Sequence, residues 1–101
     1  MNKSIMPGNI KGRCYFCRRI CNTENHHIFY GRNRKRSDVD GMTVYLCHSC
    51  HNEPPNGVHF NKTRDMFIKR LGQGTWMRYY GKTHDDFIQA YGRNYLVEDE
   101  E

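Results

Sequence analysis

The sequence contains no long run of hydrophobic residues, and this absence limits the classes of protein that it can encode. A membrane-spanning helix needs about 18 or more consecutive apolar residues, which no part of the chain offers. The first ten residues also lack the apolar segment that marks a secretory signal. We therefore expect no membrane association and a cytoplasmic location.

Apolar residues are scarce overall, because they make up 37% of the 101 residues. At about 100–200 residues per domain, we expect a single domain over residues 1–101. A chain of this size buries only about two-thirds of its surface, so its core needs additional stabilisation. The five cysteines suggest a source. Their odd number argues against a complete set of disulfides, and in a reducing cytoplasm closely spaced cysteines are more often metal ligands.

Negative charge is nearly absent from the first part of the chain. Residues 11–36 contain eight Lys and Arg residues and one acidic residue, Glu24. The whole chain has a net charge of +5, and four of its 11 acidic residues stand in the segment 97–101, which we expect to form an acidic tail. This distribution predicts a polyanionic partner, most simply a nucleic acid. A solvated basic surface is the alternative, and composition does not decide between the two.

Local patterns before residue 60 predict an arm and two strands. Residues 1–12, with one proline and two glycines, predict a flexible arm. His26–Tyr30 and Thr43–Leu46 are short and rich in β-branched or aromatic residues, which predicts strands. The polar segment 31–41 between them has no apolar period and predicts a loop. With the helices predicted for residues 61–92, the pattern indicates a small α+β fold.

The first of these helices is predicted from its end signals. Pro54-Pro55 ends any helical turn that begins a few residues earlier, because proline lacks an N–H and clashes with the preceding turn. Asn61 is a suitable N-cap for a helix over residues 63–80, and Gly81 suits its C-terminal end. The residues predicted to face the core are Phe67, Leu71 and either Thr75 or Trp76.

A second, shorter helix is predicted from a capping box. Thr83 and Asp86 have the spacing with which the N-cap side chain and the third helical residue satisfy each other's backbone. Gly92 then ends the helix after Tyr91. Its predicted buried side consists of Phe87, Ile88 and Tyr91.

Two Cys-x-x-Cys pairs predict a structural zinc site with two knuckles. Cys14 and Cys17 form one knuckle, and Cys47 and Cys50 form the other. Each pair places two thiolates on one tight turn, and together they supply the four ligands of a closed zinc tetrahedron. Buried thiols without a ligand are the alternative. Cys21 remains outside the pattern, and we expect it to be a small buried or half-exposed thiol.

Four histidines flank the same predicted hairpin. His26 and His27 are adjacent at the start of a strand, so their side chains point to opposite faces. One of them can bind a metal while the other faces a substrate, since a histidine is neutral and basic near pH 7. His51 directly follows the second knuckle, and His59 comes after the two prolines. The remaining two, His48 and His84, are predicted to be surface residues.

These motifs together resemble the HNH endonucleases with the ββα-metal fold. The residues that carry the resemblance are Cys14-x-x-Cys17, His26-His27-Ile28, Leu46-Cys47-x-x-Cys50-His51 and His59. The pattern covers roughly residues 14–60 and is similar to a zinc-stapled branch common among small phage and prophage proteins. The resemblance implies a ββα-metal core with a two-knuckle zinc site, followed by C-terminal helices. For a phage-encoded protein it implies the cytoplasm of the host cell.

The resemblance also implies a role for each histidine. In the family, the first residue of the Asp/His-His pair binds a divalent metal and the second is the general base that activates water. His26 is therefore implied as the ligand and His27 as the base. The family histidine after the second knuckle is a metal ligand, and it corresponds to His51. His59 is implied as a further ligand or as a phosphate contact.

The sequence departs from the family pattern in two places. The middle Asn of the HNH motif stands five residues before the third cysteine, and Met42 occupies that position here. Asn33 or a backbone group would then have to orient the base. Family members with two ligands on one helix space them four residues apart, but Pro55 follows His51 at that distance. His59 must therefore fold back past the prolines to reach the metal.

The implied activity is metal-dependent cleavage of DNA that leaves a 5′-phosphate and a 3′-hydroxyl. Histidine ligands favour Mn²⁺ or Ni²⁺ over Mg²⁺, which prefers oxygen ligands. The residues expected to hold the flanking phosphates are Arg32, Arg34, Lys35 and Arg36. A non-catalytic zinc module that binds nucleic acid, with structural histidines, is the alternative. A nucleophile pair of His27 and Cys21 is a third reading, for which no oxyanion-binding device is visible.

Overall fold

The computed structural model describes residues 3–96 and has a small α+β architecture in that range. The acidic tail predicted at residues 97–101 lies outside the described residues. Two antiparallel strands form the sheet, four helices surround it, and two short 3-10 turns join them. The strands are β1 (Glu24–His27) and β2 (Thr43–Leu46), the helices are α1 (Arg34–Val39), α2 (His48–Asn52), α3 (Lys62–Tyr80) and α4 (His84–Tyr91), and the 3-10 turns are Gly31–Asn33 and Val58–Phe60.

The sheet confirms the prediction for β2 and corrects the one for β1. β2 has the predicted bounds, whereas β1 begins two residues before the predicted strand and ends three residues before its end at Tyr30. Ile28 still donates its N–H to the Met42 carbonyl at 3.0 Å. The next N–H, that of Phe29, goes instead to the Ser37 hydroxyl at 3.2 Å. This side-chain bond takes the chain out of the ladder.

The predicted loop over residues 31–41 is wrong, because this segment contains a 3-10 turn and helix α1. The helix packs through polar groups, which leave no hydrophobic period in the sequence. Ser37 is fully buried, and its hydroxyl donates to the Met42 carbonyl at 2.7 Å. At the C-terminal end, Asp40 Oδ2 accepts hydrogen bonds from Trp76 Nε1 at 2.9 Å and from the Tyr91 hydroxyl at 2.8 Å.

The segment predicted as a flexible arm instead packs against the hairpin over residues 4–9. Ile5 donates its N–H to the Gly41 carbonyl at 2.9 Å, and the Ser4 hydroxyl donates to the Thr43 carbonyl at 2.6 Å. Met6 is buried in the core. Gly41 permits this close approach, because a Cβ at its position would lie 2.6 Å from the backbone oxygen of Lys3.

Helix α3 follows the prediction at its ends and over most of its face, since Thr75 and Trp76 are buried and Leu71 packs against the core. The Asn61 side chain accepts from the Arg64 N–H at 3.0 Å, and Gly81 ends the helix in the left-handed conformation, as predicted. The expectation that Phe67 faces the core is wrong, since it is 56% exposed. The buried residues of α3 are Ile68, Gly72, Gln73, Thr75 and Trp76. At Gly72 the helix comes close to Ile28 and Phe29, the two residues that follow β1.

Helix α4 has the predicted bounds and completes an aromatic core. The Thr83–Asp86 capping box is formed, which confirms the predicted start. Phe87 and Tyr91 are buried as predicted, but Ile88 is 39% exposed because the helix contacts the core along one i, i+4 edge. The rings that meet there are Phe29, Trp76, Phe87, Tyr91 and Tyr95. Within the described chain, none of the helices has the length and apolar character needed to cross a membrane.

Two glycines of α3 give a matched test of this packing. A Cβ at Gly72 would lie 3.2 Å from Ile28 Cγ2 and 3.4 Å from Phe29 Cε2, whereas one at Gly74 would meet only the flexible end of Arg78. Gly74→Ala should raise the free energy of unfolding by about 0.5–1 kcal/mol. Gly72→Ala should offset that gain by overpacking, which costs about 1–3 kcal/mol. Urea unfolding measures both, and equal stability of the two variants would contradict the packing described here.

Candidate functional site

The four cysteines of the two knuckles converge in one cluster. Their Sγ atoms lie within 4.8 Å of one another, and the Cys17 and Cys47 sulfurs are 3.9 Å apart. A tetrahedron with zinc–sulfur bonds of about 2.3 Å has sulfur–sulfur edges of about 3.8 Å, so the spacing fits. In each knuckle the second cysteine donates its N–H to the first sulfur at 3.4 Å. The four residues therefore lie close enough to bind a metal ion such as zinc.

The protonation of these thiols also fits a cation. Burial opposes the ionisation of Cys14, but hydrogen bonds from the backbone N–H groups of Cys47, Cys17 and Phe16 lower its pKa to about 6. Burial raises the pKa of Cys50 to about 12. A metal ion binds cysteine as the thiolate, so its binding to this cluster would release the protons that the sulfurs still carry.

Two arginines neutralise the cluster, and sequence analysis assigned neither to it. Arg19 approaches Cys47 Sγ at 3.9 Å and Arg64 approaches Cys50 Sγ at 3.5 Å. Four thiolates around Zn²⁺ carry a net charge of −2, which two guanidinium groups offset. The Arg64 guanidinium also lies 5.0 Å above the centre of the Phe16 ring. Arg19 is one of the eight basic residues in segment 11–36 that predict a polyanionic partner. Part of that positive charge therefore offsets the cysteine cluster.

Three histidines form a second cluster. His26 comes from β1, His51 from α2 and His59 from the 3-10 turn after the two prolines. One ring nitrogen of each lies within 4.8 Å of the others, and the Nε2 atoms of His51 and His59 are 3.2 Å apart. The chain therefore does fold back past the prolines far enough to bring His59 to His51.

His26 is the most informative member of this histidine cluster. It is 1% exposed, and its Nε2 atom is buried without a hydrogen-bond partner in the structure. Burial, and then the nearby His51 and His59 rings, lower its pKa to about 3, so the imidazole is neutral. A buried polar atom without a partner is unfavourable, and a metal ion is the partner that three converging imidazoles suit. The donor set thus fits a divalent cation of borderline softness.

One wall of the histidine cluster is a network that sequence analysis missed. The Tyr30 ring lies 5.2 Å from the His59 ring and 6.0 Å from the His26 ring. Its hydroxyl donates to Asp65 Oδ2 at 3.0 Å, and the Lys69 ammonium bonds the same oxygen at 2.9 Å. The ammonium also stands 4.2 Å above the centre of the Tyr30 ring. The wall positions an aromatic face beside the cluster.

His27 lines both a basic cleft and the cavity that contains the three clustered histidines. Its Nε2 lies 3.1 Å from Asp38 Oδ1, and because a carboxylate only accepts, that nitrogen carries the proton. The cleft has a volume of about 620 Å³ and is lined by His27, Gly31, Arg32, Arg34, Lys35 and Asp38. Arg34 also lines the cavity of about 180 Å³ that contains the three clustered histidines. His27 and Arg34 therefore both lie where the basic cleft meets the histidine cavity.

The remaining predicted residues lie elsewhere. Arg36 does not line the cleft of His27, and its guanidinium is 4.0 Å from Asp40. The sequence suggested Asn33 as a residue that could orient His27, but the structure does not place it there. Its amide donates to the Tyr91 carbonyl at 3.0 Å and links the 3-10 turn to α4. Asp38 holds His27 instead. His48 and His84 are exposed, as predicted.

Comparison of the chain with models of protein families, with curated proteins and with solved structures finds no match. The assignment of function therefore depends on the geometry of the two clusters and of the cleft.

Removal of one zinc ligand should unfold the chain. Structural zinc contributes about 10–16 kcal/mol in small domains, so Cys47→Ser should abolish zinc binding and cooperative folding. Cys21→Ser is the matched control, because Cys21 is half-buried outside the cluster and its thiol donates to the Arg19 carbonyl at 3.5 Å, a bond that a serine hydroxyl can also donate. Zinc stoichiometry and circular dichroism measure both effects. A zinc-free wild type with a normal cooperative melt would contradict a structural zinc site.

Proposed function

We propose that the chain is a metal-dependent endonuclease of the HNH type that hydrolyses phosphodiester bonds in DNA. The observation that carries the proposal is the buried Nε2 of His26, which has no partner within a cluster of three histidines. The next residue, His27, opens onto a basic cleft. The four cysteines supply all the ligands that a structural zinc ion needs. A purely structural domain would therefore not require the three converging histidines.

The order of the elements supports the proposal. β1 and β2 form an antiparallel hairpin, and α2 follows β2 directly. The pair His26 and His27 lies on β1, and His51 lies on α2, which is similar to the arrangement that a ββα-metal core implies. The two zinc knuckles stand before β1 and after β2, where they tie the hairpin to the helix.

The residues that would hold the catalytic metal are His26, His51 and His59. Three neutral imidazoles favour Mn²⁺, Ni²⁺ or a similar ion over Mg²⁺, which remains possible only with added oxygen ligands. When bound, the ion supplies stabilisation of the charge that develops on the phosphoryl and leaving oxygens. The Tyr30 ring would limit the access of solvent on one side of the ligands.

His27 would act as the general base. Asp38 accepts the Nε2 proton of His27, so the lone pair that can take a proton from water is on Nδ1. The imidazolium that forms is then stabilised by the Asp38 carboxylate, which keeps its charge throughout. Asp38 thereby takes the orienting task that the family gives to the middle Asn, which is Met42 in this chain.

The basic cleft would hold the substrate backbone. Arg32, Arg34 and Lys35 line it, and arginine can bind a phosphate through two parallel N–H bonds. Contacts of this kind fix the register of a nucleic acid without reading its sequence. Arg34 borders both the cleft and the histidine cavity, so it would contact phosphates nearest the reacting group.

The second candidate is a non-catalytic zinc module that binds nucleic acid through the same cleft. The neutralised cysteine cluster favours it, because that cluster alone can hold the fold together. It differs from the nuclease in needing neither a second metal nor a general base. The two candidates therefore give opposite results when a histidine is removed.

The nuclease predicts different phenotypes for the two adjacent histidines. His27→Ala should lower the rate of Mn²⁺-dependent plasmid nicking by roughly 10²- to 10⁴-fold, with the second metal still bound. His26→Ala should lose both that metal and the activity. Because His26 is buried, His51→Ala serves as a second ligand variant.

Each outcome has a distinct meaning. Loss of the metal in His27→Ala would show that the ligand and the base are exchanged. Full nicking activity in His27→Ala would remove the nuclease mechanism and leave the binding module. Zinc content in every variant serves as the control for folding.

The cleft predicts a change in the salt dependence of DNA binding. Each neutralised phosphate contributes about 0.9 to the slope of log affinity against log salt concentration, so Arg32→Ala with Arg34→Ala should reduce the slope by nearly two units. Lys11→Ala with Lys82→Ala removes the same charge at exposed positions outside the cleft and should leave the slope almost unchanged. Fluorescence anisotropy at several salt concentrations measures both. Equal slopes would place the nucleic acid elsewhere.

A further inference from the structure

Glu24, the first residue of β1, is hydrogen-bonded to His51 on the ring nitrogen opposite the one that faces His59. Its Oε1 lies 2.7 Å from His51 Nδ1 and its Oε2 lies 2.8 Å from His48 Nδ1. The Asn52 amide donates to Oε1 at 3.3 Å. One carboxylate therefore joins β1 to α2 through three side chains, at the only acidic position in residues 11–36.

We propose that Glu24 is a positioning residue that fixes the His51 tautomer with its proton on Nδ1, so that Nε2 offers a lone pair to a metal held with His26 and His59. This inference rests on the proposed metal site and deepens it. It assigns the selection of the ligating nitrogen to a carboxylate that does not itself belong to the group of ligands.

The hydrogen bonds determine where the His51 proton lies. An ionised carboxylate has no proton to donate, so at 2.7 Å it must accept one from Nδ1. Nε2 of His51 is then an acceptor, and His59 Nε2, at 3.2 Å, donates to it when no metal is present. To offer Nε2 to a metal ion, His59 would carry its proton on Nδ1 instead, and it would remain a neutral imidazole.

Glu24 is well placed to remain ionised. Its two oxygens lie within hydrogen-bond distance of His51, His48 and Asn52, and donors of this kind favour the ionised form of a carboxylate. The three proposed ligands are neutral imidazoles and bring no charge to a divalent cation. A carboxylate bonded to the far nitrogen of His51 adds negative charge and raises the basicity of the ligating nitrogen.

Metal affinity distinguishes this role from a merely structural one. With zinc loaded in the cysteine cluster, Glu24→Ala should weaken Ni²⁺ binding by about 10- to 100-fold, measured by calorimetry. Glu24→Gln can still accept from Nδ1 through its amide oxygen, so it should keep part of the affinity while losing the charge. Glu53→Gln is the matched control, because Glu53 stands 3.6 Å from His48 and is not bonded to His51. It should bind Ni²⁺ like the wild type.

The tautomer itself gives a readout that needs no second metal. Long-range ¹H–¹⁵N correlation spectra of the zinc-loaded protein should show His51 protonated on Nδ1 in the wild type and in Glu24→Gln. Glu24→Ala should populate the Nε2-protonated form, with an unchanged zinc content. A wild-type His51 protonated on Nε2, or an unchanged tautomer and Ni²⁺ affinity in Glu24→Ala, would overturn the role of Glu24.

The failure of this inference can be told from the failure of the proposed function. A wild type that binds no Ni²⁺ at the histidines would contradict the metal site, while the spectra would still decide whether Glu24 sets the tautomer. Tight Ni²⁺ binding by both the wild type and Glu24→Ala would leave the metal site in place and remove only the role of Glu24.

Discussion

The convergence of Cys14, Cys17, Cys47 and Cys50 is the constraint on which the rest of the structure depends. It brings together two turns that are separated by 29 residues, with β1 and β2 between them. The first knuckle also donates the Tyr15 N–H to the Tyr45 carbonyl at 2.8 Å, so it is aligned with the edge of β2. The second knuckle starts α2 and sets the direction of His51, the residue after Cys50. The position of His51 in the histidine cluster therefore depends on the cysteine cluster.

Elements with local signals could be predicted from the sequence, and elements fixed by distant polar contacts could not. The ends of α3 and α4 depend on caps within a few residues, so Asn61 and Thr83 predict them well. β1 and α1 depend on Ser37 and Asp40, whose partners are distant in the sequence or supplied by the fold. A polar residue such as serine or aspartate adds nothing to an apolar periodicity even when it is buried, so the segment that contains it is predicted as a loop. The exposed Phe67 is the converse case, because tertiary contacts such as that of Gly72 with Ile28 and Phe29 determine which side of α3 is buried.

The candidate site divides along the same line. The two Cys-x-x-Cys pairs and the His26-His27 pair could be identified by spacing, because adjacent ligands on one turn or strand need no tertiary information. Asp38, Arg19 and Arg64 could not, since each acquires its role from a partner on another element. Asn33 is the opposite case. Its side chain has the right chemistry to orient a histidine, but it hydrogen-bonds the Tyr91 carbonyl on the last helix instead.

The two clusters solve opposite electrostatic problems. Four thiolates around zinc bring an excess of negative charge, and Arg19 and Arg64 offset it. Three imidazoles bring no negative charge. Carboxylates hydrogen-bonded to histidines of that region supply it, as Asp38 does for His27. The basic residues near the thiolates offset the charge of the cysteine cluster, whereas Arg32, Arg34 and Lys35 of the cleft form no ion pair with another residue in the range 3–96. The positive field that remains lies beside His27, which is where an anionic backbone would have to be drawn for this histidine to act on it.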